Sequence, residues 1–368
     1  MSCQSHHIKY SCHIPSSPVR SIELVNVVEP LLNGQKMTPA TSNHSPMNPI
    51  NTAQALVQTE LAVVETLLRA LPDLQPESLR RAVEIIVSSG GKRIRPTIGL
   101  LIAGMLDKMG PPAIHLAGAA EMLHTASLVH DDLIDGAMVR RGAATLNAAW
   151  TPAATVLTGD YLFAYAAGLA AKTNSVRVMS IFAETLGVIV GGELQQQFTD
   201  VALRRTREDY YRRIYAKTAS LFVLATTAMG VLADASEAEI ESLRQFGHEL
   251  GNAFQVIDDI LDFTGDQASV GKPVGSDLRR GLITLPTIYY AEMHGADENL
   301  ACALVGECDP ATYDVVINDI RNSNAIPAAL DEARKMALAA RQALAPFAAN
   351  PYRDALLSLT DYTVNRSL

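Results

Sequence analysis

Apolar residues recur along most of this chain at steps of three and four, the spacing that lines one face of an α-helix. Leu56, Leu61, Val64, Leu67 and Leu68 open the pattern, with Thr52 placed to cap the first helix. The same spacing predicts helices over 79–87, from Pro96 to about Met109, and over 153–171, 176–198, 207–215, 220–232 and 236–263, with four or five more between 285 and 368. No alternation of apolar and polar residues lasts long enough to build a sheet, and there is no internal repeat. The chain therefore reads as all-α. Residues 1–51 depart from the pattern, rich in Ser, Pro, Asn and His, and are expected to form a disordered extension before a single helical domain over 52–368.

Two of these helices carry polar residues that an apolar face does not need. The one after Pro111 and Pro112 bears Ala117, Glu121, His124, Leu128, Asp131 and Asp135 on one face, with Asp132 about 100° round. The helix over 236–263 ends in FQVIDDILDF, so that Asp258, Asp259 and Asp262 repeat the i, i+1, i+4 arrangement of Asp131, Asp132 and Asp135. One DDxxD string is more often a solvated helix end. Two, each closing a long apolar helix and each followed by basic residues, point to chemistry. Crowded carboxylates are relieved by a divalent cation, and carboxylate oxygens as the only protein ligands suit Mg²⁺ sharing its remaining positions with water and phosphate.

Phosphate-seeking cations stand nearby in sequence. Arg140 and Arg141 follow the first triplet within one loop, and GGKRIRP sets Lys92, Arg93 and Arg95 in a glycine-loosened backbone. Beyond the second triplet, GDQASVGKPVGSDLRRGLITLP carries Lys272, Asp277, Arg279 and Arg280 on a loop that could close over a metal cluster. Lys217-Thr218 falls at a helix boundary or kink. Gly191-Gly192, Glu193 and Gln195 to Gln197 put a polar patch on an apolar helix, facing a wet cavity or a subunit contact.

Composition narrows the choice. With a net charge of −9 and 48% hydrophobic residues the chain can bury a large core, and it shows no basic aromatic-spaced face for nucleic acid. Cys3, Cys12, Cys302 and Cys308 have no CxxC spacing, so neither a zinc site nor a disulfide framework is expected and a cytoplasmic setting fits. The start lacks the features of a secretory leader, and no uninterrupted run of about 18 apolar residues suggests a transmembrane span.

GGKRIRP, HTASLVHDDLID, the RRG at 140–142, GDYLFA, KTASLF, FQVIDDILD and GKPVGSDLRRGLITLP together make the chain, over about 52–368, resemble the trans-isoprenyl diphosphate synthases, the head-to-tail prenyltransferases. The resemblance implies an isoprenoid synthase-type helical bundle around a large central cavity, usually a homodimer. It assigns the catalytic work to Asp131, Asp132, Asp135, Arg140, Lys217 and Asp258, with Asp259 and Asp262 as further metal partners and about three Mg²⁺ per active site. Arg140, Lys217, Thr218, Gln255 and Lys272 would grip the allylic diphosphate, and Lys92, Arg95, His124 and Arg141 that of isopentenyl diphosphate.

Many members have a lysine after the glycine that precedes Thr-Leu-Pro, whereas here Gly281 is followed by Leu282, which leaves one contact to the allylic diphosphate in doubt unless Arg279 or Arg280 substitutes. Leu123, Ala126 and Ser127 would wall the growing chain; small residues at 126 and 127, and a first motif without an insertion, imply a long polyprenyl product for a quinone side chain. Geranylgeranyl diphosphate is the alternative. A class I terpene cyclase is disfavoured because no (N/D)DxxSxxxE motif is present, and a non-catalytic partner subunit because no aspartate has been lost. A long product could bring the enzyme to a membrane surface.

Overall fold

A computed structural model describes residues 48–70, 77–88, 91–140, 143–198, 206–265, 274–295, 298–306 and 308–366. The expected extension thus lies outside the described residues up to position 47. From Asn48 the chain is helical: the Asn48 carboxamide oxygen accepts from the Ile50 N–H at 3.0 Å, and Pro49 occupies the first turn, so α1 (Pro49–Ala55) begins ahead of Thr52, the cap the sequence suggested.

Four helices lead to the first acidic triplet and its loop: α2 (Gln58–Arg69), α3 (Glu77–Ser88), α4 (Ile94–Met105) and α5 (Pro111–Ile134). Next comes a minimal hairpin of β1 (Val139–Arg140) and β2 (Ala143–Ala144), the only strand pairing among the described residues. Then follow α6 (Leu146–Ala149), α7 (Pro152–Ala171), α8 (Val176–Phe198), α9 (Arg207–Ile214), α10 (Ser220–Leu232) and α11 (Glu237–Thr264). The remainder is α12 (Ser276–Arg279), α13 (Leu285–His294), α14 (Glu298–Val305), α15 (Pro310–Asn322), α16 (Ala325–Ala343) and α17 (Pro351–Asn365).

Local chemistry sets the ends of these helices. Ser236 and Glu239 form a reciprocal capping box that starts α11, while Thr151 and Thr206 accept from the N–H groups of Ala154 and Asp209 to start α7 and α9. Residues 207–232 form one rod instead of two separate helices, because α9 and α10 are joined through a π-helical turn, Tyr215–Ala219, at the predicted kink.

α5 packs on α7, α4, α2 and α10, and α11 on α10 and α16. The α16 contribution is a row of buried alanines, Ala325, Ala329, Ala333, Ala337 and Ala340, small enough to let α11 approach closely. Val256, Ile257, Ile260 and Phe263 at the end of α11 join Leu285 and Ile288 of α13 and Ile317 and Ile320 of α15 in one core. Burying each such side chain contributes about 1.5–3 kcal/mol relative to leaving it exposed. On its other side α11 meets the π turn through Gly251, where an added Cβ would stand 2.6 Å from Ala219 Cα.

Two findings depart from expectation. The stretches 176–198 and 207–232 are long and apolar enough to cross a membrane by length and composition, although polar residues interrupt both; the most apolar part is 22% buried in the first and 78% in the second. The second is therefore core, whereas the first leaves Val176, Val190, Leu194 and Phe198 exposed. In addition, the sulfurs of Cys302 and Cys308 come together, with Cα atoms 5.4 Å apart, a pairing their spacing did not lead us to expect.

Candidate active site

The end of α5 carries three carboxylates within five positions. Asp131 and Asp132 are buried within the helix and Asp135 closes it. Each is met by a basic side chain from a different element. Lys217, on the π turn, reaches Asp131 Oδ2 at 3.0 Å and also Glu193 of α8 at 2.8 Å. Arg140 of β1 donates through Nε to Asp132 at 2.7 Å, and Arg280, just past α12, donates to Asp135 at 2.7 Å.

The second triplet ends α11. Asp258 accepts from Arg366, which lies beyond α17, sits over the Phe254 ring at 4.0 Å and donates to the Phe254 carbonyl at 2.9 Å. Asp259 is buried and accepts from the Tyr210 hydroxyl at 2.7 Å and the Gln255 amide at 2.9 Å. The Gln255 oxygen in turn accepts from Thr218 at 2.6 Å, so one hydrogen-bonded chain ties α9, the π turn and α11 together. Asp262 takes the Ser276 hydroxyl at 2.6 Å and the Asp277 N–H at 3.0 Å, which moors the start of α12 to the motif.

Burial raises Asp131, Asp132, Asp258 and Asp259 above the ordinary carboxylate range, with Asp259 pushed up to about 7 as the Asp277 charge adds to its burial. At Asp131 and Asp258 the opposing pull of Lys217 and Arg366 does not cancel burial. Burial works against the Lys217 ammonium too, but Asp131 and Glu193 outweigh it and hold the group charged.

The donor set fits Mg²⁺: six carboxylates, four of them disfavoured as anions by burial, four of them already engaged by a monovalent cation. Among the described residues no three His, Cys, Asp or Glu side chains gather closely enough to hold a metal by themselves. A metal here would need further oxygens from a ligand and water.

The basic cluster at 92–95 divides its work. Arg93, at a left-handed φ of 46°, turns inward to Glu65, to Glu121 at 3.0 Å and to the Val87 carbonyl at 2.8 Å. It thereby engages the acid that shares the face of His124. Lys92 is exposed, Arg95 lies over the Phe222 ring at 5.1 Å, and the charges of both act on Asp258. A pocket lined by Lys92, Phe222, Phe254, Tyr362 and Arg366 sits beside them.

His124 is half-buried on α5, its carbonyl accepting the Ser127 hydroxyl at 2.8 Å, and Leu123, Ala126 and Ser127 are buried. Arg141 and Lys272 lie outside the described residues. Arg279 turns away to Asp314 and the Tyr313 ring. Sequence reasoning did not assign Glu193, Tyr210 or Arg366: Glu193 was visible only as part of a polar patch, while Tyr210 and Arg366 carry no local signal.

With this geometry in hand, comparison with known proteins is specific. The family model described as polyprenyl synthetase matches residues 76–318. The octaprenyl diphosphate synthase of Escherichia coli (strain K12) is 35% identical over 318 residues, covering 86% of this chain and 97% of the relative. A decaprenyl diphosphate synthase from Rhodobacter capsulatus superposes with a TM-score of 0.80 at 34% identity, over 87% of this chain and 100% of that one. A polyprenyl synthase from Caulobacter crescentus CB15, complexed with calcium and isoprenyl diphosphate, gives 0.81 at 35% identity over 90% and 100%.

Proposed function

Since the chain belongs to the polyprenyl synthetase family, with its all-helical isoprenoid synthase fold and its prenyltransferase activity, we propose that its two DDxxD triplets bind an allylic diphosphate through Mg²⁺ and condense it with isopentenyl diphosphate. The observation that carries this reading is the pairing of Asp131, Asp132, Asp135 and Asp258 with Lys217, Arg140, Arg280 and Arg366, each drawn from a separate element. A diphosphate arriving with its metal ions presents anionic oxygens to such cations and divalent charge to such carboxylates, exchanging partners on both sides.

In this reading Lys217, Arg140, Thr218, Gln255 and Lys272 hold and orient the allylic diphosphate, while Lys92, Arg95, His124 and Arg141 hold the isopentenyl diphosphate. The six aspartates would hold Mg²⁺, about three ions, which would supply charge to stabilise the departing diphosphate. The allylic C–O bond ionises, the alkene of isopentenyl diphosphate attacks the cation, and the released diphosphate takes the proton, so no protein base is required. The buried apolar length of α5 keeps water from the cation.

A long trans-polyprenyl product, of the kind used for quinone side chains, is supported by the octaprenyl and decaprenyl names of the relatives and by small residues at Ala126 and Ser127. The exposed apolar residues Leu157, Val176, Val190, Leu194 and Phe198 on α7 and α8 support a homodimer. We place the enzyme in the cytoplasm, with peripheral membrane contact through its product, and read residues 52–368 as one catalytic domain.

The test is product analysis of the purified chain with Mg²⁺, labelled isopentenyl diphosphate and, separately, dimethylallyl, geranyl, farnesyl and geranylgeranyl diphosphates. A ladder ending well beyond geranylgeranyl, abolished by chelation, is expected. A stop at geranylgeranyl would overturn the product length, and no elongation from any primer would overturn the activity of the chain alone.

A further inference from the structure

We infer that Arg280 is an additional allylic-diphosphate-binding residue, supplying from the loop after α11 a cation that this chain does not have at Leu282. The inference rests on the diphosphate-condensing reading above. Lys217 and Arg140 stand in one structural relation to the first triplet: each is a basic side chain from another element seated on one of its carboxylates, at 3.0 and 2.7 Å. Arg280 stands in the same relation to Asp135, at 2.7 Å across 145 positions of sequence.

The loop is built to present it. Asp262 holds the Ser276 hydroxyl at 2.6 Å and the Asp277 N–H at 3.0 Å, and its own carbonyl accepts from Gly275 at 2.8 Å. The Asp277 carbonyl then accepts from Arg280 at 3.1 Å and from Leu282 at 2.9 Å, closing the turn around Gly281, whose φ is 73°. Moored to the second triplet at one end, the turn reaches the first triplet through Arg280, while the neighbouring Arg279 goes to Asp314. Arg280 is therefore the arginine of this pair that spans the two acidic motifs.

Fold stability is a weak reason for the contact, because the Arg280 side chain is 53% exposed and exposed ion pairs contribute little. A guanidinium has five donors in a planar fork that suits phosphate, and one suffices for Asp135. When a diphosphate engages the first triplet, Arg280 is within a side chain's reach of its oxygens.

The test measures KM for geranyl diphosphate and for isopentenyl diphosphate, and the Kd of geranyl thiodiphosphate with Mg²⁺ by calorimetry. The proteins are wild type, Arg280→Leu, Arg279→Leu and the double variant Arg280→Leu/Leu282→Lys, with thermal melts as a check on folding. Arg280→Leu should raise the allylic KM and the analogue Kd about tenfold or more, with the isopentenyl KM within about twofold and the melt little changed. Arg279→Leu should move these far less, and Leu282→Lys should recover most of the lost affinity. An unchanged analogue Kd in an active Arg280→Leu, a loss shared equally by isopentenyl diphosphate, or a loss that Leu282→Lys leaves in place overturns the inference alone. A wild type that neither turns over nor binds the analogue overturns it together with the reading it rests on.

Discussion

At the scale of single residues, the proposed product wall on α5 consists of buried side chains, two of them small. Ser127, Ala126 and Leu123 stand four, five and eight positions before Asp131, on the stretch along which a growing tail would run. Replacing Ala126 with Phe puts an aromatic ring in a fully buried position, so Ala126→Phe is expected to shorten the product, read by chromatography of the dephosphorylated alcohols. An unchanged length distribution in Ala126→Phe and again in Ser127→Phe would mean that the wall lies elsewhere. The acidic triplets were legible in the sequence because carboxylates are anomalous on an apolar helix. Arg93, Lys92 and Arg95 were not separable by letter: the left-handed backbone at Arg93 sends it to Glu65 and Glu121, and nothing in the run KRIR announces that. Arg366 meets Asp258 across 108 positions, a contact only the closed fold creates.

Between elements, the contact that matters most is that of α11 with the π turn, because it sets Gln255 against Thr218. Gly251→Ala would place a Cβ 2.6 Å from Ala219 Cα, a backbone atom that cannot swing aside. We expect it to destabilise the protein by about 1–3 kcal/mol, read as a lower urea midpoint, and to lower kcat by displacing Lys217 and Thr218. A midpoint and kcat equal to wild type would show that the two elements have slack. Helix positions were read well from spacing where caps are strong, as at Ser236 and Thr206, and less well at α1, where Asn48 and Pro49 outcompete Thr52. The π turn was legible only as a kink, since its geometry depends on packing against Gly192 and Gly251.

For the molecule as a whole, the apolar residues left outside are informative. Leu157, Val176, Val190, Leu194 and Phe198 lie exposed on α7 and α8, whose inner faces are already committed to the core. Leu194→Asp combined with Phe198→Asp should convert a dimer into a monomer in light scattering, and a wild type already monomeric at micromolar concentration would refute the dimer. Which helices neighbour one another was beyond sequence patterning, because every amphipathic face looks alike until it is paired. The rod over 207–232 also has a consequence for length. A π turn takes up one residue more than an α-helical turn, so deleting a single residue between Tyr215 and Ala219 would regularise the rod, leave its two halves nearly in phase and remove the bulge that presents Lys217. Tyr210 on one side of that irregularity serves Asp259, and the π turn itself carries Lys217, which serves Asp131. Both acidic triplets thus take a partner from one irregular rod, and it is the bulge, more than the phase of the rod, that a change of length at 215–219 would erase.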